Sequence, residues 1–361
     1  MYGGIPESNI ASLKVLNASV PEILKKSFSN LRQGYLKMEC TPEEFEKQVI
    51  NSSVVVEKIT KLKNEIKAYV DVYWNLIKNI SASAGSEEIV KIKDEMLEKI
   101  KALLMEYSYV DVYEGYQVIA DIWKDSLNHD IGIIEANGFY EAGRSRVPNM
   151  VTKGSGDKKH EEQDGFVGAI VPNELIEKEL FKDELEAIQK IIDRIAEIDS
   201  EISDITDQAK DESNDEYSCF AECLKDSGEE LERKKVKDAI KSAPKGSAER
   251  KLLESCEKLF AEKADKVKIQ KQNEKELKES VQNRILTLTN EEIDILMYKK
   301  WFGDVETEMA SLVVSPLNNE IAMVKELHDR YSDTLSDIES QIDILTKQIE
   351  EFQKELVIVH E

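Results

Sequence analysis

The sequence predicts a mainly α fold, a helical domain with a small β element followed by a long antiparallel coiled-coil arm. Three observations carry that expectation. Charged residues make up 34% of the 361 positions, aromatics only 7%, and there are seven prolines. This balance suits long amphipathic helices and fits a β-rich fold poorly. From Leu317 to Leu356 apolar residues recur in alternating steps of three and four, at Leu317, Ile321, Val324, Tyr331, Leu335, Ile338, Ile342, Leu345, Ile349, Phe352 and Leu356. His328 is the one polar residue in register, so the run reads as an a/d seam. A helix of that length would reach roughly 60 Å and needs another helix beside it. A second seam starts after Pro172, with Phe181, Ile188, Ile195 and Ile202 at one position and Ile191, Ile198 and Ile205 at the other. Glu184 is its one mismatch.

In chain order, residues 1 to about 80 read as helices joined by short turns. Gly3, Gly4 and Pro6 make the first turn, and Ser8 is placed to cap the helix after it. Pro21 sits in a first helical turn, where its missing N–H costs nothing, and Thr41-Pro42-Glu43-Glu44 is a capped start. A helix from about Val55 is expected to bury Ile59, Leu62, Ile66, Tyr69, Tyr73 and Leu76. The stretch 81–86 is a flexible break. The next helix carries Ile89, Ile92, Met96, Ile100, Leu103 and Leu104. Tyr113, Tyr116 and Trp123 then read as core of a buried helix rather than as a platform for bases.

Between His129 and Pro172 the texture changes. Ile131–Ile134 and Phe166–Val171 read as short strands. The segment between them is a surface loop rich in glycine and cations, with Arg144, Arg146, Lys153, Lys158 and Lys159 as candidate DNA-phosphate contacts. It matches neither a phosphate loop nor a dinucleotide fingerprint. These features set the domains at 1–170, with the β element near 130–171, and 171–361. Residues 207–285 are expected to form a charged helical tip, of low rigidity over about 207–251, with Arg233–Lys237 as a solvated face. Leu288-Thr-Asn-Glu-Glu is a capped helix start, and Gly303 a stop. The arm is expected to run out through 173–205 and back through 317–356.

The formal charge is −24, from 49 Lys and Arg against 73 Asp and Glu. A free-standing DNA binder normally shows the opposite sign, because phosphate contacts need cations. No run of eighteen apolar residues exists, and the N-terminus has no secretory signal pattern. Cys40, Cys219, Cys223 and Cys256 are too few and scattered for a disulfide scaffold, so a cytoplasmic home is expected. Cys219 and Cys223 stand four apart without further ligands at metal spacing, so no metal is expected. No catalytic motif is present, and the four histidines are scattered. By its residues alone the chain reads as an assembly element.

A colinear set of blocks adds a resemblance. Leu288-Thr-Asn-Glu-Glu-Ile-Asp-Ile-Leu296, Lys300-Trp-Phe302 and Leu327-His-Asp-Arg-Tyr-Ser-Asp-Thr-Leu335 resemble the end of the M (modification) subunit of type I restriction-modification systems, which are adenine-specific DNA methyltransferases. Gly3-Gly-Ile-Pro-Glu-Ser-Asn-Ile10, Gly34-Tyr35, Asp111-Val-Tyr113, Trp123 with His129-Asp130, and Val171-Pro-Asn-Glu-Leu-Ile176 before Phe181 follow in the same order. The similarity spans most of residues 3–356 and covers the family's C-terminal part.

Family members place the S-adenosylmethionine loop and an Asn-Pro-Pro-Tyr/Phe motif upstream of such a segment. No proline here forms Asn-Pro-Pro. The resemblance therefore carries no catalytic, cofactor-binding or metal residue onto this chain, which is expected to be inactive alone, S-adenosylmethionine belonging to the complete enzyme. It implies docking on the S (specificity) subunit, which reads the DNA, and leaves open a separate catalytic chain as a further partner. The charge of −24 implies DNA contact only within the complex, and the lack of a long apolar run implies no membrane. The seam itself supplies the expected docking residues Tyr331, Leu335, Ile338, Ile342, Leu345, Ile349, Phe352 and Leu356. A second reading stays open beside it, a free-standing coiled-coil scaffold or regulator that self-associates or sequesters the S subunit.

Overall fold

The structure, a computed structural model, describes residues 4–80, 86–154, 156, 159–211, 214–225, 229–331 and 335–358. The fold is mainly α, with two small antiparallel sheets. The chain divides into one unit of residues 1–136 with 301–361 and another of residues 137–300. That division replaces the boundary expected at 170. Among the described residues, no helix is long and apolar enough to cross a membrane.

The first unit opens with β1 (Ile5–Pro6), α1 (Glu7–Ala11), α2 (Lys14–Ser19), α3 (Pro21–Ser27), β2 (Phe28–Arg32), β3 (Tyr35–Met38) and α4 (Pro42–Ile50). Then follow α5 (Ser53–Lys78), α6 (Ser86–Leu104), α7 (Val112–Ile122) and α8 (Asn128–Asn137), and at the far end of the sequence α15 (Val305–Tyr331) and α16 (Leu335–Ile358). The all-helical reading of residues 1–80 is corrected by a three-stranded sheet in the order β1-β3-β2. Its strands have two to five residues, too short to show a period of two, and the turn between β2 and β3 uses Gly34 at φ +79°. That dihedral suits glycine because it has no Cβ.

The cap at Thr41 is present as a capping box. Its hydroxyl accepts from the Glu44 N–H at 3.2 Å, and Glu44 accepts from the Thr41 N–H at 3.1 Å. Helix α5 buries Leu62, Ile66, Tyr69 and Tyr73 as its spacing predicts, but Ile77 takes the place expected of Leu76, which is exposed. The Tyr69 hydroxyl donates to the Met96 carbonyl at 2.8 Å, tying α5 to α6. Asp111 caps α7 by accepting from the N–H groups of Tyr113 and Glu114. Tyr113 itself lies in solvent, against expectation, whereas Trp123 is fully buried. The strand expected at Ile131–Ile134 is part of α8. Ile131 and Ile134 stand three apart and both are buried, and a four-residue apolar run cannot tell a strand from one helical turn.

Helix α15 is the spine of this unit. It packs on α2, α4, α5 and α7. Leu317, Ile321 and Val324 join Leu16, Phe45, Val49 and Val55 in one core. Pro316, expected to precede the terminal helix, lies inside it. The Glu320 carboxylate accepts from the N–H groups of Val15 and Leu16 at 3.1 and 2.8 Å. It thereby satisfies the start of α2, which has no side-chain cap of its own. The Trp301 indole N–H donates to the buried Asp130 carboxylate at 2.8 Å.

The second unit contains α9 (Phe139–Gly143), β4 (Arg146–Lys153), β5 (His160–Gly168), α10 (Asn173–Leu180), α11 (Lys182–Lys210), α12 (Arg233–Ser242), α13 (Ala248–Ile285) and most of α14 (Asn290–Phe302). The expected surface loop is an antiparallel hairpin whose register shifts between Pro148 and Met150. Helix α11 packs on α13, so the return limb within this unit is residues 248–285 and not 317–356. Arg194 of α11 forks onto Glu262 of α13 at 2.8 and 3.1 Å, and Lys263 pairs with Asp199. Sequence spacing hid this pairing because α13 spends much of the contact on ion pairs instead of an apolar seam.

The tip also differs from expectation. Phe220, Cys223, Val236, Leu253 and Cys256 form a small buried core. The stretch Arg233–Lys237 is not a solvated face. Val236 is buried, Arg233 forks onto Glu257, and the Lys235 ammonium donates to the Leu224 carbonyl at 2.7 Å. At the start of α14, Thr289 and Glu292 form the second capping box.

Two outcomes follow from these contacts. Trp301→Phe leaves the Asp130 carboxylate one donor short in a buried site, and should lower unfolding stability by about 1–3 kcal/mol, measured by urea denaturation. At Glu257, burial pushes the carboxyl up, but the Arg233 and Lys237 charges more than offset this and hold it below its ordinary 4.5. A depressed carboxylate stabilises fully above that value and loses its contribution as pH falls through the folded pKa. Amide protection factors across α12, corrected for the intrinsic exchange rate at each pH, should therefore fall below about pH 4.5 sooner than those in α5, and Glu257→Gln should remove the difference.

Candidate functional site

The expected docking stripe occupies α16. Every described side chain from Ser340 to Gln353 is exposed. Ile342, Ile344, Leu345, Ile349 and Phe352 stand between 55% and 64% accessible. Large apolar side chains scattered singly on a surface need no explanation, but four of these recur at seam spacing along three helical turns. The positions flanking the seam, Gln341, Thr346, Gln348 and Gln353, carry no charge. Carboxylates at Asp343, Glu350 and Glu351 lie off it.

Tyr331 does not belong to that stripe. It ends α15, is half-buried against the N-terminal core, and its carbonyl accepts from the Gly4 N–H at 3.1 Å. Leu335, Ile338 and Leu356 fall within α16 by backbone, but their side chains lie outside the described residues. The structure thus gathers Ile342, Leu345, Ile349 and Phe352 on one exposed face and assigns Tyr331 to internal packing.

The basic segment resolves into two kinds of cation. The Arg144 guanidinium donates to the Leu288 carbonyl at 2.8 Å, and also to Asn290 and Glu141. The Arg146 guanidinium donates to the Gln282 carbonyl at 3.0 Å and lies 4.2 Å over the Phe166 ring. Both arginines brace the hairpin within its unit. Lys153 is exposed and pairs with Glu162 at 3.3 Å, Lys159 is exposed, and Lys158 lies outside the described residues.

The thiols belong to packing. Burial, with the neighbouring thiols and carboxylates, pushes Cys223 up to about 11 and Cys256 up to about 12. A thiol so held is a poor nucleophile near neutral pH. Among the described residues, no group of three or more His, Cys, Asp or Glu side chains could hold a metal ion.

Sequence spacing also missed a cavity of about 330 Å³ in the first unit, where Val15, Val55, Lys58, Tyr109, Val313 and Leu317 meet. Its walls come from segments some 300 positions apart, so no local pattern marks it.

The split among the cations can be measured. Arg146→Gln removes an internal brace and should lower the melting temperature by a few degrees. Lys153→Gln with Lys159→Gln should leave it within about one degree, as exposed substitutions do.

Compared with protein-family models, curated proteins and solved structures, the chain matches none.

Proposed function

We propose that this chain is the C-terminal assembly portion of the M subunit of a type I restriction-modification adenine-specific DNA methyltransferase. It works in the cytoplasm, docks on the S subunit through α16, and helps to hold DNA that S reads. The observation that carries the docking is the exposed seam of Ile342, Leu345, Ile349 and Phe352. Support for the family comes from the colinear blocks, several of which hold the first unit together. Gly4 of the first block bonds to Tyr331 of the last, and Asp130 bonds to Trp301.

The second reading, self-association, is favoured by one feature. Ile342 and Ile349 share one seam position and Leu345 the other, with uncharged flanks, a pattern that suits a parallel two-stranded coil.

One pair of substitutions tests both. Ile342→Asp with Leu345→Asp should change the isolated chain's stability by less than about 0.5 kcal/mol, since both sites are exposed. On the first reading the wild type is a monomer alone and co-purifies with the S subunit. The double variant then loses that capture, because docking would bury unpaired charge at several kcal/mol. Undiminished co-purification with S rejects the first reading. A wild-type dimer by sedimentation, made monomeric by the double variant, assigns the seam to the second.

A further inference from the structure

The cavity in the first unit has a composition that sets it apart from the rest of this acidic chain. Helix α2 contributes Val15, Ala18 and Ser19, α5 contributes Val54, Val55 and Lys58, the turn between α6 and α7 contributes Ser108 and Tyr109, and α15 contributes Val313 and Leu317. None of these ten residues is acidic, although the chain carries 73 Asp and Glu. Val15, Val54, Val55, Val313, Leu317 and Ala18 make an aliphatic side, Ser19, Ser108 and Tyr109 add polar surface, and the single charged lining group is the Lys58 ammonium. At about 330 Å³ the space is at the small end of ligand sites, which run from about 300 to 1,000 Å³.

Lys58 is unusual in its partners. Its ammonium donates one solvent-accessible hydrogen bond, to the Ser108 carbonyl at 2.9 Å, and makes no ion pair among the described residues. An ammonium has three N–H donors and no acceptor, so two have no protein acceptor. Partial burial disfavours the charged form and holds its pKa below the ordinary lysine value, while the ammonium stays open to an incoming ligand. The bond to Ser108 also fixes the residue before Tyr109, whose φ of +63° is the one positive value outside glycine among the described residues. Backbone in that region persists only where its surroundings determine it, and it tends to mark ligand sites.

We propose that this cavity binds a medium-chain carboxylate, its hydrocarbon tail against Val15, Val55, Val313 and Leu317 and its carboxylate on Lys58. Two unused N–H donors match a single negative charge shared over two oxygens. A phosphate dianion would leave most of its charge uncompensated beside apolar walls, which is costly. The inference is independent of the reading of α16.

Calorimetry on the full chain tests it with octanoate and its neutral analogue 1-octanol as probes. Wild type should bind both saturably at one site. Lys58→Met keeps the aliphatic stem and removes the charge. It should weaken octanoate by roughly tenfold or more while 1-octanol stays within about twofold, as loss of one charge-assisted contact requires. Retained 1-octanol binding by that variant also reports an intact cavity. Ala18→Phe, from an exposed helical position on the rim, should weaken both probes. The proposal is overturned if wild type fails to bind either probe saturably, if Lys58→Met binds octanoate as wild type does, or if Ala18→Phe changes neither.

Discussion

The burial of Leu317, Ile321 and Val324 in the N-terminal core is the constraint on which the first unit depends. These side chains close the core of α2, α4 and α5 from a point some 300 residues downstream. Glu320, on the same helix, satisfies the amides that α2 leaves open. A carboxylate accepting two backbone N–H groups is a charge-assisted contact, stronger than a neutral one. Helix α15 is therefore both wall and cap. Because those seam residues are consumed internally, they are withdrawn from any partner. The same three-four repeat beyond Tyr331 has no such cover among the described residues. One periodic signal is thus buried on one side of Tyr331 and exposed on the other.

The second unit solves its packing differently. Its long helices α11 and α13 join through Ile188 and Ile198, but also through Arg194 with Glu262 and Lys263 with Asp199. Exposed pairs of this kind contribute little each, so they set register more than stability. The tip is held instead by a compact core around Phe220, Val236, Leu253 and Cys256, with Glu257 drawing Arg233 and Lys237 over it. A segment that reads as hydrophilic can still fold around a few well-placed apolar side chains.

What the sequence made legible follows from range. The mainly α class, the boxes at Thr41 and Thr289 and the buried face of α5 depend on residues within a turn or two of one another. The five strands were mostly missed because three have two to five residues and the hairpin is rich in Gly, Arg and Lys. Pairing of α11 with α13 was missed because apolar periodicity finds seams and α13 offers a weak one. The exposed face of α16 was legible as periodicity, but whether a seam is covered is a tertiary fact. Arg144 and Arg146 looked like phosphate ligands for the same reason. Their carbonyl acceptors at Leu288 and Gln282 lie more than 130 residues away.

Magnitudes set the terms of the docking proposed for α16. Ile342, Leu345, Ile349 and Phe352 would contribute roughly 1.5–3 kcal/mol each on full burial. Together that is of the same order as the roughly 4–15 kcal/mol lost as rigid-body freedom on association. Four side chains alone therefore give marginal docking. Helices in proteins draw most of their stability from packing of an apolar face, and the described apolar face of α16 is uncovered. Docking and stabilisation of α16 are consequently one equilibrium, and a partner that covers the face gains from both. The acidic residues off the seam work in the same direction. They keep a chain of charge −24 from associating indiscriminately, yet Asp343, Glu350 and Glu351 need not be desolvated when the seam closes. On the proposed docking, specificity rests on apolar fit along Ile342 to Phe352, with charge acting mainly against the wrong partners.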